Sequence, residues 1–181
     1  MKQAIVAFLS LALMVSLGKG QAQPPTPEGA VQLATELVAK LEHALQEASL
    51  AWTTPTLSDL QVGAQRFLNI LIGENDPDYN PIAGDAAAGA GILKNTMTLK
   101  GMLAETAWQD FVVTAESVLT FAGWAGVNAK AVLQMSDEAR ARVEVHKAEA
   151  FLRAALGCGE ALPTKGGAVT ILNALTTAQQ P

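Results

Sequence analysis

The sequence predicts an all-α protein: an up-down four-helix bundle with a long loop between helices 2 and 3 and one or two short accessory helices. Four long segments repeat apolar residues at alternating spacings of three and four, the signature of a helix buried along one face. No segment sustains period-two alternation between turn residues, so no strand is predicted. Connections are short except at 73–91, which makes successive helices antiparallel neighbours.

The chain opens MKQAIVAFLSLALMVSLGKGQAQ, with Lys2 ahead of an apolar or small run from Ala4 to Gly18. That run has the length of a signal-peptide core and falls short of the roughly 20 residues that span a bilayer. Gly20 and Ala22 suit the −3 and −1 positions of a cleavage site before Gln23. Residues 1–22 are therefore expected to be a signal peptide, and 23–181 a single helical domain without stable membrane insertion, secreted or periplasmic. The uncleaved alternative is an N-terminal anchor.

After a proline-rich leader, Thr26-Pro27 has the form of an N-cap followed by proline at the first helical position. The first stripe then runs Ala30, Ala34, Leu37, Leu41, Ala44, Ala48 and Ala51, flanked by Val31, Val38, Leu45 and Trp52. It predicts a helix over 28–52, ended at Thr53-Thr54-Pro55. Ser58-Asp-Leu-Gln61 resembles a capping box, and Leu57, Leu60, Ala64, Phe67 and Leu71 form the second stripe. Gly73 stands where a left-handed C-terminal residue is wanted. Beyond the 73–91 loop, 92–104 reads as a short helix, with a restart at Thr106-Ala-Trp-Gln109. The third long stripe is Phe111, Ala115, Val118, Ala122, Ala125, Ala129 and Val132. Ser136 is the expected N-cap of the fourth, Ala141, Val145, Ala148, Leu152 and Ala155, which stops at Gly157-Cys-Gly159. Ala168, Leu172 and Leu175 suggest a last short helix. Alanine dominates these seams, so close helix packing is expected, with little internal space for a ligand.

The formal net charge is −5, and removal of Lys2 and Lys19 makes it about −7. Such a surface, with no Lys/Arg cluster, argues against nucleic-acid partners. One cysteine, Cys158, excludes an intramolecular disulfide, and no C-x-x-C-H haem motif is present. There is no E-x-x-H, H-E-x-x-H or G-x-S-x-G, which removes the di-iron, zincin and hydrolase signatures. His146-Lys-Ala-Glu149 could chelate from one helical turn. Its neighbours Arg142 and Arg153 make an exposed ion-paired face the expectation, and His43 among Glu36, Lys40 and Glu47 is read the same way. Trp52 and Trp108 are expected in the core. Phe121 and Trp124 lie off the third stripe, and are either a partner patch or covered by 92–104 or the tail.

The loop Gly73-Glu-Asn-Asp-Pro-Asp-Tyr-Asn-Pro opens like a calcium loop, with Asp76, Asp78 and Asn80 at the first three ligand positions. The sixth position, glycine in an EF-hand, is Pro81, and the twelfth, a bidentate Glu, is Ala87. An EF-hand is excluded. An irregular, weak divalent-cation site of Asp76, Asp78, Asn80 and Asp85 is the remaining metal reading.

Residues 69–93, N-I-L-I-G…P-D-Y…G-D…G-x-G-I-L, resemble a segment of a set of secreted bacterial helical proteins. There an N-I-x-x-G helix end leads into an Asp/Gly-rich loop ending P-G-D-G-x-G-x-L. In this chain the D-x-N-G-D-G portion is missing, and P-G-D-G has become Ala83-Gly-Asp-Ala86. The resemblance implies secretion and a helical fold, and no particular activity. A cation bound by that loop in such proteins would have lost ligands here.

The functional expectation is a non-catalytic binding or interaction protein, without a cofactor, for a protein or small-molecule partner. Its surface is expected at the 73–91 loop, with Tyr79, Phe121 and Trp124 as candidate partner-binding residues. The alternative is a metal-binding or sensing protein using the acidic 74–85 loop.

Overall fold

The computed structural model describes residues 26–83, 89–157 and 166–179. The expected signal peptide, Asp85 and Cys158 lie outside the described residues. Among the described residues six helices follow in order: α1 (Ala30–Thr53), α2 (Leu57–Ile72), α3 (Ile92–Ala104), α4 (Val112–Leu133), α5 (Glu138–Leu156) and α6 (Gly167–Thr177). Short 3-10 turns occupy Pro81–Ala83 and Gln109–Phe111. Among the described residues the one element of β pairing is an isolated bridge between Gly73 and Ala90. The protein is all-helical.

The stripes locate the core. All seven positions of the first are buried, as are all five of the fourth. In the third, Ala115 through Val132 are buried while Phe111 is half-exposed at its edge. In α6 the buried positions are Gly167, Ala168, Ile171 and Leu175, so Ile171 takes the place expected of Leu172. The long helices α1, α2, α4 and α5 pack as the pairs α1–α2, α2–α4, α4–α5 and α5–α1. Helix α3 lies mainly on α4 and α1, and α6 mainly on α1 and α4.

Small residues set the α1–α2 distance. A Cβ built on Gly63 would stand 2.5 Å from Ala51 Cβ, so these two helices touch where neither carries bulk. Glycine also closes the base of the 73–91 loop. Gly73 has φ +79°, but ψ is 167°, so the expected left-handed cap is instead an extended exit open to glycine. It lies against Gly91, where a Cβ would sit 2.3 Å from the Ile72 carbonyl carbon.

Several helix ends differ from expectation. Thr26 does not cap α1: its Oγ1 is buried without a hydrogen-bond partner, and Gly29, at φ 76°, precedes the first helical residue. The α2 cap is Thr56, whose Oγ1 accepts from Asp59 N–H at 3.2 Å, because this threonine is the last extended residue and Ser58 already lies within the helix. Asp137 caps α5 through Arg140 N–H at 3.0 Å, one residue beyond the expected Ser136. Gln61 serves the other end of a neighbour. Its Nε2 donates to Met135 O at 3.0 Å, just past the C-terminus of α4. Arg142 likewise donates to Trp52 O and Thr54 O at the end of α1 and pairs with Glu138, not with Glu149.

Candidate functional site

The 73–91 loop is anchored from its base by α2. Asn69 is fully buried, and its Nδ2 donates to Asn80 O at 2.7 Å while its Oδ1 accepts from Asn80 N–H at 3.0 Å. Gln65 Nε2 donates to both Asn69 Oδ1 and Asp78 O. Arg66 Nε donates to Ala83 O, and Lys40 Nζ reaches Ala90 O from α1. These bonds satisfy the loop backbone where it crosses apolar helix ends, as buried polar groups require.

The candidate cation ligands are employed within that loop. Asp76 Oδ1 accepts from Asp78 N–H, and Asn80 Oδ1 from Ile82 N–H, both at 3.0 Å. Asp78 pairs with Lys130 of α4, and that hydrogen bond raises the lysine pKa above its ordinary value. An ammonium group thus already neutralises the carboxylate that a cation would need. Among the described residues no group of three His, Cys, Asp or Glu is placed to hold a metal ion. Tyr79 is half-buried, its N–H donating to Asp76 O. A cleft of about 290 Å³ behind the loop is lined by Asn75, Asp76, the Gly89–Gly91 backbone, Lys94 and Met97, with no convergent polar set.

A second cluster joins α1 to α5. Ser49 Oγ donates to Glu149 Oε1 at 3.1 Å, Arg153 donates to the same oxygen at 2.7 Å, and His146 Nδ1 lies 3.6 Å from Oε2. Glu149 is buried rather than part of an exposed charged face, and Arg153 alone of the two flanking arginines pairs with it. Burial pushes its carboxyl up, but the bonds from Arg153 and Ser49 and the nearby positive charges outweigh that and hold it below the ordinary value. A serine, a carboxylate and an imidazole therefore meet, in the wrong order for nucleophilic catalysis. The carboxylate lies between serine and histidine, and a carboxylate kept this acidic is a poor base for a hydroxyl proton.

Trp52 is 42 % exposed, contrary to its expected core position, because it falls on the flanking row in the last turn of α1. Its ring packs on His146 at 5.1 Å. Trp108 is buried as expected.

The outward face of α4 carries a row of exposed apolar side chains with an aromatic ring at its centre. Trp124 is 49 % exposed, and Val113 and Val127 on the same side are 67 % and 65 % exposed. Trp124 packs edge-on to Phe121 at 5.7 Å and against Phe151 of α5 at 5.2 Å, while Phe121 stacks on Phe151 at 6.4 Å. The support for the pair is thus α5, and neither the 92–104 segment nor α6 covers Trp124. Two open clefts border its ring. One, about 360 Å³, is lined by Val127, Asn128, Lys147 and Phe151, and the other, about 190 Å³, by Val113, Glu116, Ser117, Thr120 and Phe121. The loop reaches the C-terminal end of this strip through Asp78 and Lys130.

Phe151, Val113 and Val127 were not among the sequence candidates. Phe151 was detectable, since it lies off the fourth stripe as Phe121 lies off the third, on the antiparallel neighbour. The valines were signalled by the composition of α4, which is apolar around most of its circumference. No protein-family model matches the chain, and no curated protein or solved structure shows a significant similarity to it.

Proposed function

We propose that this protein is a non-catalytic interaction module, exported as its N-terminal segment suggests, whose binding surface is the outward face of α4. In this reading α1, α2, α4 and α5 form an up-down four-helix ring, and the face of α4 turned from the ring is free for a partner. The observation that supports it is the exposed row Val113, Trp124 and Val127, braced by Phe121 and Phe151. A rigid aromatic ring between two clefts, rimmed by Glu116, Asn128 and Lys147, has the makeup of a protein-binding hot spot. The 73–91 loop, first choice on sequence grounds, becomes the border of that surface. Its polar groups serve its own anchoring.

The test is a photo-crosslinking side chain at position 124 in the living host, with the same group at the exposed Glu42 of α1 as control. A discrete adduct from 124 and none from 42 is expected. The absence of a discrete adduct at 124 would overturn the assignment of this face.

A further inference from the structure

We infer that the occupant of the α4 face is a second copy of this chain, related by a twofold axis through Thr120 with the two α4 helices antiparallel. This rests on the reading of α4 as the binding surface and adds the partner. At about 100° per residue, Val113, Glu116, Trp124 and Val127 all point within roughly 40° of the Thr120 direction, over a length of about 21 Å. The strip is centred on Thr120, with one valine seven residues to each side. An antiparallel twofold sets Val113 at the level of the partner's Val127, and Trp124 at the level of the partner's Glu116.

The lateral positions then decide the fit. Trp124 sits on the α5 side of the strip, and the twofold keeps it on that side when it meets the other helix. It arrives in the hole between Val113, Glu116, Ser117 and Thr120 of the partner. That hole already exists as the 190 Å³ cleft. Ser117 and Gly123 keep the flanks low, and a Cβ on Gly123 would meet nothing within 4 Å. A parallel pairing would instead set each tryptophan beside its own copy and leave both clefts empty.

Charge favours the same direction. The N-terminal end of the strip carries Asp110 and Glu116, while its C-terminal end carries Lys130 and Lys147. Glu116 is held by Lys100, Lys130 by Asp78 and Lys147 by Glu144, so each of these charges is already paired within one chain. The exposed Asp110 then lies at the opposite end of the strip from its own copy in the antiparallel arrangement, and at the level of that like charge in the parallel one. One helix face is small beside a standard interface. The expected dissociation constant is accordingly roughly 10–100 µM.

Sedimentation equilibrium of the purified protein tests this, together with disulfide trapping in a Cys158→Ser background. The average mass should rise toward two chains across that concentration range. Trp124→Ser and Val113→Arg should both remain single chains, the second being a solvent-exposed site where misfolding is no concern. Thr120→Cys should trap a dimer under mild oxidation at least several-fold faster than Glu42→Cys. A wild-type mass that stays at one chain, equal association of both variants, or no faster trapping at 120 would each overturn the inference. If the wild type stays single while position 124 crosslinks a different protein in the host, the second copy is wrong and the binding face stands. If nothing crosslinks at 124, both fall.

Discussion

Asn69 holds more of the structure than its size suggests. It joins α2 to the loop with two part-buried bonds to the Asn80 backbone and a third, buried one to Gln65. Asn69→Ala removes all three and leaves the buried Gln65 amide without that acceptor, so a loss of roughly 1–3 kcal/mol is expected in denaturant unfolding. Amide exchange at 73–83 should accelerate with it. Glu149 gives a pH dependence. Its folded pKa lies below the ordinary 4.5, so folding favours the charged form. That contribution is complete above pH 4.5 and is lost as pH falls through the folded value. Glu149→Gln should cost about 1–2 kcal/mol at neutral pH, where the amide replaces a charge-assisted acceptor. Thermal melts should show the variant losing less than the wild type on acidification below that pH. Neither residue's burial was visible in the sequence. Asn69 ends a helix beside a loop, and Glu149 shares its turn with His146 and Arg153, which made a solvated face the simpler reading. Burial of a carboxylate depends on what the neighbouring helix presents, here Ser49, one hundred positions away.

Helix positions and inward faces were legible because burial repeats with the helical period, and that period is written in the order of residues. All seven stripe positions of α1 from Ala30 to Ala51 are buried, whereas Glu47, expected on the exposed charged face, is buried beside them. Caps were less legible. Thr56, Ser58, Ser136 and Asp137 are all competent N-caps, and the backbone conformation at each turn decides which is used. The α1–α2 contact at Gly63 makes a further prediction. Gly63→Ala brings a methyl to 2.5 Å from Ala51 Cβ, with backbone behind it. Although alanine favours a helix, the overpacking should dominate, lowering stability by about 1–3 kcal/mol in urea unfolding. Gly63→Ala with Ala51→Gly should recover part of the loss, since the double variant returns the space.

At the scale of the molecule, this acidic helical protein holds Glu149 and Asp78 in structural pairings and leaves the apolar strip of α4 uncovered. Millimolar calcium should leave the melting temperature unchanged, because Asp78 is paired with Lys130 and Asp76 and Asn80 turn back on their own loop. A rise of several degrees, abolished by Asp76→Ala, would restore the metal reading. The sequence pointed to Phe121 and Trp124 and left their setting open, since the antiparallel placement of Phe151 is a tertiary fact. The most direct measurement is the size of the protein after crosslinking in its living host before lysis, so that a weak complex is not diluted apart, wild type against Trp124→Ser. An α4 interaction surface predicts that the wild type runs larger than one chain and the variant as a single chain of unchanged fold. Equal sizes for the two would contradict it.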